Sequence, residues 1–346
     1  MHIRNGYLFL HESHQVYKIY KLKILIVRFS SIGDVVLTTP VVRAIKNQLG
    51  FPEIHFLTKK SFSSILEGNT NVDRVITIEK SIDEVVNQLK LEKYDWVIDL
   101  HNNIRTASLK RKLKRPSKTF KKLNIRKWLL VTFKIDKMPD VHVVDRYFEA
   151  IKGLGVKNDH REAEISLSEC DYVDVDKSFK ISSKTYVSMA IGAQFATKRM
   201  PKSLLVELIS KINAPVVLVG GQMDTELAAE IVSEINRKDV WNACGKYNLK
   251  QSASIVAQSF KLITNDTGMM HIASCLIVPV VSIWGSTVPS LGMFPYYPSN
   301  SSMFSIHEVN GLSCRPCSKI GFQKCPKGHF KCMNDQSLDE ILKRVN

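Results

Sequence analysis

Residues 30–34, Ser30-Ser31-Ile32-Gly33-Asp34, join an apolar run at 24–27 to a second run with helical spacing. A strand, a short turn and a helix start present backbone amides that can face an anion. An aspartate in such a turn is poorly suited to holding phosphate, but it can remove a proton from a nucleophile placed next to an activated donor. The segment therefore predicts Asp34 as a general base.

A second group of residues, Asp266-Thr267-Gly268 with His271 one helical turn later, follows the apolar residues 261–263. Asp266 or Thr267 can cap the helix that begins here, and the amides of residues 267–269 would then face a diphosphate. The simpler interpretation is an ordinary capped helix with a buried histidine. The second glycine-containing turn around Asp34 favours a ligand site.

Two further loops carry charge next to glycine or proline. Lys198 precedes a Pro-started helix and is a compact charge suited to phosphate. Asp224 and Glu226 follow a diglycine turn at residues 220–221. They can complement a helix dipole, or one of them can accept hydrogen bonds from a ribose, with Glu226 preferred and Asp224 second.

Four of the seven cysteines form a C-x2-C-x7-C-x6-C pattern: Cys314, Cys317, Cys325 and Cys332. Four thiols with a leading C-x-x-C could hold a structural zinc ion, although the second pair lacks the usual tight spacing. Free thiols and disulfides stay open as alternatives. So few cysteines in a chain of 346 residues fit a reducing cytoplasm.

The elements that must position these residues alternate between strand-like apolar runs and amphipathic helices. Strands are predicted at 24–27, 54–57, 75–78 and 96–100, and again at 186–191, 216–219, 262–264 and 278–284. Such alternation indicates an α/β protein with two doubly wound parallel sheets that bind a ligand at their carboxyl ends. We expect a disordered leader at 1–21, domains at 22–165 and 166–330, and a terminal helix within 331–346, with a polar linker around 155–183.

The net charge of +16 indicates acidic partners, and its excess is concentrated at residues 110–127. This stretch is either a solvated basic face or a surface for anionic lipid, with Trp128 and Phe133 as apolar contacts. Nucleic acid is disfavoured because no helix-turn-helix, zinc-finger or RNA-recognition pattern is present. The glycine fingerprint for dinucleotides and the P-loop lysine motif are absent, which argues against NAD chemistry and ATP hydrolysis.

Taken in order from Lys23 onward, these motifs resemble the ADP-heptose:lipopolysaccharide heptosyltransferases of glycosyltransferase family 9. The resemblance is carried by residues 28–34, 99–105, 198–201, 266–271 and 285–287. It implies a GT-B fold, in which two Rossmann-like domains face a central cleft, and inversion at the anomeric carbon. It implies no metal for the chemistry and no cofactor.

The resemblance also implies roles for individual residues. Asp34 would be the base, and Lys198 would contact the donor diphosphate, with Met200 at the usual tryptophan position. The donor-binding residues would be Lys198, Glu226, Asp266, Thr267, Gly268 and His271, and the acceptor-side candidates Ser31, Gly33 and Arg105.

The implied reaction moves heptose from ADP-heptose to a glycolipid core acceptor, at the cytoplasmic face of the inner membrane, with peripheral contact through residues 110–133. Two alternatives stay open. One is another GT-B glycosyltransferase, or a sugar-nucleotide epimerase, that uses a UDP- or GDP-sugar. The other is a non-catalytic nucleotide-sugar binding protein, against which the acid in the first turn argues.

Overall fold

The computed structural model describes residues 2–4, 7–9 and 21–346. The chain divides into two compact units: unit 1 comprises Met1–Lys122 and Val141–Ser166, and unit 2 comprises Leu123–Asp140 and Leu167–Asn346. Most of the leader predicted at 1–21 lies outside the described residues. Within it, two short strands, β1 (His2–Arg4) and β2 (Tyr7–Phe9), pair antiparallel.

Unit 1 contains a five-stranded parallel sheet with the order β5-β4-β3-β6-β7. Its strands are β3 (Lys23–Val27), β4 (Glu53–Lys59), β5 (Arg74–Ile78), β6 (Trp96–Asp99) and β7 (Ser117–Thr119). Its helices are α1 (Ile32–Val36), α2 (Thr39–Gln48), α3 (Val86–Leu91), α4 (Ile104–Leu113) and α6 (Val143–Ile151). The central strand β3 pairs Val27 with Leu57 on one side and with Asp99 on the other, so three strand ends meet where the Asp34 segment begins.

Unit 2 contains a six-stranded parallel sheet with the order β10-β9-β8-β11-β12-β13. Its strands are β8 (Val187–Ala190), β9 (Val216–Val219), β10 (Val240–Asn242), β11 (Lys261–Asn265), β12 (Val280–Trp284) and β13 (Phe304–Glu308). Its helices are α5 (Asn124–Phe133), α7 (Val175–Phe179), α8 (Lys202–Ser210), α9 (Thr225–Ile235), α10 (Leu249–Gln258), α11 (Gly268–Cys275), α12 (Lys331–Asn334) and α13 (Leu338–Leu342).

Alternate residues of the unit 2 strands enter two different core clusters. Val216 and Leu218 of β9 pack on one face of the sheet, whereas Val217 and Val219 pack on the other. Both faces are therefore covered, as a parallel sheet requires, and β9 is apolar at every position. The predicted α/β class with parallel sheets is confirmed.

The predicted polar linker is wrong in part. Residues 173–181 contribute Val173, Val175, Phe179 and Ile181 to a core cluster of unit 2, and Val175–Phe179 is helical. Asp174 caps this helix by accepting a hydrogen bond from the Lys177 amide. Strands β7, β10 and β13 were not predicted, since β7 lacks an apolar run, β10 has only three residues, and β13 mixes apolar with polar residues that are all only half-buried.

Along the described residues, no helix combines the length and the apolar character needed to cross a lipid bilayer.

Candidate active site

Asp34 lies in the first turn of α1, and its carboxylate is held from two sides. Oδ1 forms an ion pair with Arg28 Nη2 at 2.5 Å. Oδ2 accepts hydrogen bonds from the Ser31 backbone amide at 3.1 Å and the Ser31 hydroxyl at 2.8 Å. The Asp34 carboxylate therefore accepts the hydrogen bond of the amide at the start of α1, and these contacts fix its orientation.

The surroundings of Asp34 favour the ionised carboxylate. Partial burial opposes ionisation, but the charge of Arg28 and the hydrogen bonds from Ser31 outweigh it and hold the pKa of Asp34 below its usual value. Asp34 is consequently negative at neutral pH. It is able to accept a proton, and it does so most readily when that proton is being released by bond formation.

Arg28 has a positioning role that the sequence analysis did not assign. Its guanidinium is buried, and it donates to the Ser30 carbonyl at 2.9 Å and the Leu100 carbonyl at 2.5 Å as well as contacting Asp34. Arg28 follows β3 directly and Leu100 follows β6, so adjacent strands of the sheet fix the cation. The available signal was a basic residue directly after a buried strand.

His101 is a second residue to which the sequence analysis gave no role. Its ring lies 5.2 Å from that of Phe29, and its Nδ1 is buried with no hydrogen-bond partner among the described residues. Burial, followed by the charges of Arg28 and Lys122, lowers the pKa of His101 to about 4. The imidazole is therefore neutral at pH 7 and adds no charge next to Asp34.

The three acceptor-side candidates all lie close to this segment in unit 1. Arg105 is exposed in the first turn of α4, with its guanidinium carbon 5.9 Å from the centre of the Phe29 ring. Ser31 is the exposed residue that precedes α1. Gly33 is buried inside α1, directly before Asp34.

In unit 2, the side chains of Lys198 and Thr287, which come from two other loops, both contact the Asp266 carboxylate. Its Oδ2 lies 2.5 Å from Lys198 Nζ and accepts a hydrogen bond from the Thr287 hydroxyl at 2.7 Å. Lys198 and Asp266 are only 15% and 12% exposed. Asp266 follows β11 and Thr287 follows β12, so neighbouring strands bring the loops together. The sequence analysis did not select Thr287 as a site residue.

Helix α11 begins directly after this cluster. Thr267 occupies its N-cap position, but no side chain caps the helix there, because Asp266 is engaged by Lys198 and Thr287. Thr267 is thus the N-cap residue of α11, as expected, but neither its side chain nor that of Asp266 makes a capping hydrogen bond. Gly268 is the first helical residue, and His271 is buried one turn further along.

The two acidic residues after the diglycine turn differ in their surroundings. Asp224 is buried and accepts a hydrogen bond from the Gly221 amide at 2.9 Å. A Cβ atom at Gly192 would lie 2.2 Å from Asp224 Oδ2, so the glycine leaves the space that this carboxylate fills. Glu226, by contrast, is exposed in the first turn of α9. Met200, at the position where the family usually has tryptophan, is buried in the core.

A cavity of about 290 Å³ lies next to Thr287 within unit 2. Its walls are Leu130, Asp136 and residues 288–290 together with residues 308–312, Arg315 and Pro316. The cavity therefore lies beside the cysteine-containing loop, and Val288 in its wall directly follows Thr287.

Within the described part of the chain, Glu53, His55 and Glu92 are the one group of three metal-ligating residue types whose ligand atoms all lie within 4.8 Å of one another. Lys23 lies 3.1 Å from Glu53 and 2.8 Å from Glu92, and His55 contacts Glu53 at 2.8 Å. Arg74 also pairs with Glu92 at 3.0 Å, so the two carboxylates are held by two cations and the group is an ion-pair network of unit 1.

Comparison with known proteins identifies the family. The family model for glycosyltransferase family 9 (heptosyltransferase) matches residues 82–320, more than half of the chain. Lipooligosaccharide heptosyltransferase 2 of Campylobacter jejuni is 25% identical over 340 residues, which cover 94% of this chain and 97% of that protein.

Solved structures show the same fold. The match to the E. coli ADP-heptose lps heptosyltransferase II has a TM-score of 0.70 at 20% identity. It covers 94% of this chain and 98% of that structure's chain. The family 9 glycosyltransferase from Veillonella parvula has a TM-score of 0.69 at 24% identity, with 82% and 85% covered. The two parallel-sheet units are thus those of a GT-B fold. This chain belongs to glycosyltransferase family 9 (heptosyltransferase), and it is a glycosyltransferase.

Proposed function

We propose that this enzyme transfers heptose from ADP-heptose to a lipopolysaccharide core acceptor, with inversion at the anomeric carbon and without a metal ion. The observation that carries the proposal is Asp34, an ionised carboxylate fixed by Arg28 and Ser31. Two similar proteins are named for this chemistry: one is a lipooligosaccharide heptosyltransferase and the other an ADP-heptose lps heptosyltransferase.

In the proposed reaction an acceptor hydroxyl gives its proton to Asp34. The acceptor oxygen forms a bond to the anomeric carbon from the side opposite the nucleotide, and the bond to ADP breaks with its electron pair on the diphosphate. A carboxylate of low pKa suits this step, because the hydroxyl becomes strongly acidic only as the new bond forms. The proton thus moves late, together with bond formation.

The donor side of the proposal rests on unit 2. Lys198 would neutralise charge on the departing diphosphate, with help from the uncapped amides at the start of α11. A phosphate has to share Lys198 with Asp266. Lys198 and Thr287 both contact Oδ2 of Asp266, so we propose that its Oδ1 accepts a hydrogen bond from a sugar hydroxyl. A lysine and helix amides together can stabilise the leaving group, so the mechanism requires no metal.

Exposure favours Glu226 over Asp224 as the ribose contact. Asp224 is occupied by the Gly221 amide and enclosed by Gly192, whereas Glu226 reaches solvent on the first turn of α9. Thr267, Gly268 and His271 are proposed to complete the donor site.

On the acceptor side we propose Arg105, Ser31 and Gly33. The exposed Arg105 guanidinium has the geometry to bind a carboxylate or phosphate in two places at once, and anionic sugars or phosphates on a glycolipid would supply such groups.

Replacement of Asp34 tests the proposed mechanism. In Asp34→Asn we expect kcat to fall about 10²- to 10⁴-fold, because general-base catalysis is lost, while the Kd for ADP stays at the wild-type value. Asp83→Asn, an exposed carboxylate elsewhere in unit 1, is the matched control and should keep full activity. Wild-type turnover in Asp34→Asn would remove Asp34 from the mechanism.

The choice of nucleotide is tested separately. We expect ADP to raise the Tm of the enzyme more than UDP or GDP does at equal concentration. Selective stabilisation by UDP would contradict ADP-heptose as the donor.

We further propose a cytoplasmic enzyme that contacts the inner face of the inner membrane peripherally, through the basic stretch at 110–133. Helix α5 within it exposes Ile125, Trp128 and Phe133, which are 75%, 49% and 55% exposed, with Arg126 between them. Apolar side chains next to a cation are the pattern of a helix that lies in an anionic lipid interface.

Co-sedimentation with vesicles tests this contact. Binding should occur with phosphatidylglycerol vesicles, be weak with phosphatidylcholine alone, and decrease in Trp128→Ser. Ile277→Ser removes an equally apolar residue, 61% exposed, from a loop of unit 2 and should bind as the wild type does. Equal binding to both vesicle types would exclude the anionic surface.

A further inference from the structure

The loop at residues 309–330, between β13 and α12, contains no helix or strand. Two of its apolar side chains point to solvent, with Ile320 60% and Phe322 39% exposed. A loop of this length without regular structure is held by its contacts with neighbouring segments rather than by helix or strand hydrogen bonds.

The four clustered cysteines lie in this loop and at the helix that follows it. Cys314, Cys317 and Cys325 belong to the loop, Cys332 is buried in α12, and all four are free thiols. Cys317 Sγ donates to the Cys314 carbonyl at 3.1 Å. His329 Nε2 lies 3.9 Å from Cys314 Sγ.

Burial and the neighbouring thiols raise the pKa of Cys332 to about 11. The thiol of Cys332 interacts with those of Cys317, Cys325 and Cys314. The sulfur atoms nevertheless do not form a closed site, since no three of them lie within 4.8 Å of one another. In a tetrahedral zinc site with Zn–S bonds of about 2.3 Å, the sulfur atoms are roughly 3.8 Å apart.

We propose that Cys314, Cys317, Cys325 and Cys332 bind one Zn²⁺ ion through four thiolates. The ion replaces four S–H protons, which pass to solvent, and draws the side chains together without any redox step. The bound ion would join residues 314–325 of the loop to α12, which are otherwise connected through the exposed residues 326–329.

The cysteine loop contacts the segments that carry the Asp266 cluster. The Thr197 amide donates to the Phe322 carbonyl at 3.0 Å, and the Phe322 amide donates to the Thr197 hydroxyl at 2.8 Å. Thr197 is the neighbour of Lys198 in the chain. Arg315 donates to the carbonyls of Gly285 at 2.6 Å and Thr287 at 2.9 Å.

One more backbone contact comes from a cysteine itself, because the Cys317 amide donates to the Ser286 carbonyl at 3.0 Å. The Ser286 hydroxyl in turn donates to the Thr197 hydroxyl at 2.9 Å. We therefore assign the zinc loop a positioning role for Lys198 and Thr287. This second part rests on the proposed donor site, whereas the zinc site itself does not.

Metal analysis of the full-length chain, purified under reducing conditions with zinc supplied, tests the site. We expect about one zinc per chain in the wild type and in Cys170→Ser, which removes an exposed thiol outside the cluster. Cys325→Ser and Cys332→Ser should each lose most of the zinc. Because these variants can misfold, the wild type with Co²⁺ in place of zinc should also show thiolate-to-cobalt charge-transfer absorption.

Several results would overturn the zinc site: only trace zinc in the wild type, iron in its place, zinc retained in both cluster variants, or disulfides among these cysteines in the native chain.

The positioning role has its own readout. Removal of zinc from the wild type by a chelator should weaken ADP binding several-fold, and added zinc should restore it. An unchanged Kd for ADP would overturn the positioning role. Failure of the ADP-heptose assignment would instead appear as a different nucleotide preference with the zinc content intact.

Discussion

The protonation state of His101 gives a sharp test of the electrostatics around Asp34. Burial, Arg28 and Lys122 lower its pKa from 6.5 to about 4. At about pH 6 an ordinary histidine is roughly three-quarters protonated, whereas His101 should be roughly 1% protonated. A shift of this size means that the fold disfavours the protonated ring of His101 by at most about 3 kcal/mol compared with a histidine in water. This free-energy penalty is smaller where solvent reaches the ring.

Two substitutions should move this pKa in opposite directions. Lys122→Met removes a positive charge that lowers the pKa of His101, so the pKa should rise towards 6.5. Asp34→Asn removes a negative charge that raises it, so the pKa should fall further. Burial remains the first cause in both variants, and therefore neither should reach the ordinary value.

NMR titration of ¹³C-labelled histidine rings measures these values, with the His101 signal identified by its loss in His101→Gln. A His101 signal that titrates near 6.5 would refute the argument, and so would shifts of the same sign in the two variants. A stability measurement provides an independent check. The unfolded chain binds the proton of this histidine at higher pH than the folded chain, so stability should be lost as the pH falls below about 6.5. Between about pH 7 and pH 5 the wild type should lose up to about 2 kcal/mol relative to His101→Gln.

Two further predictions concern unit 2. Lys198→Met should raise the Kd for ADP by about 10- to 100-fold, because the phosphate loses its cation while the Asp266 carboxylate is left unneutralised; calorimetric titration with ADP measures this, and an unchanged Kd would count against a phosphate contact. Gly192→Ala should destabilise the protein by about 1–3 kcal/mol and lower its Tm, because the new Cβ would meet Asp224 Oδ2 at 2.2 Å. Gly221→Ala, whose Cβ would be 3.9 Å from the same atom, is the matched control, and equal Tm values for the two variants would contradict the steric argument.

Local patterns predicted the strands that are solidly apolar. The run at 216–219 coincides with β9, and the run at 24–27 lies within β3. An apolar run without alternation indicates a strand that is buried on both faces of a sheet. This can be recognised from the residues of the run alone. Residues 117–119 form β7 only because they pair with β6. The composition Ser-Lys-Thr gives no indication of this pairing.

The candidate site divides in the same way. Asp34 could be selected because a turn after a buried strand is visible in the sequence. The function of Arg28 could not, because its partner carbonyl at Leu100 is 72 residues away. Likewise, the choice between Asp224 and Glu226 depends on Gly192, which only the fold brings next to Asp224. Long-range proximity is the information that spacing along the chain lacks.

The placement of Leu123–Asp140 in unit 2 bears on any attempt to divide this enzyme into fragments. The segment buries Leu130, and Lys134 donates to the Pro316 carbonyl at 2.7 Å, although its neighbours on both sides in the chain belong to unit 1. A single cut after residue 166 would place it on the wrong fragment. The carboxyl-terminal fragment would lose the segment that contacts Pro316. The amino-terminal fragment would carry helix α5, with its exposed tryptophan, without the unit that α5 packs against. Separate expression of unit 2 thus requires residues 123–140 to be re-attached to it, as in a circularly permuted chain.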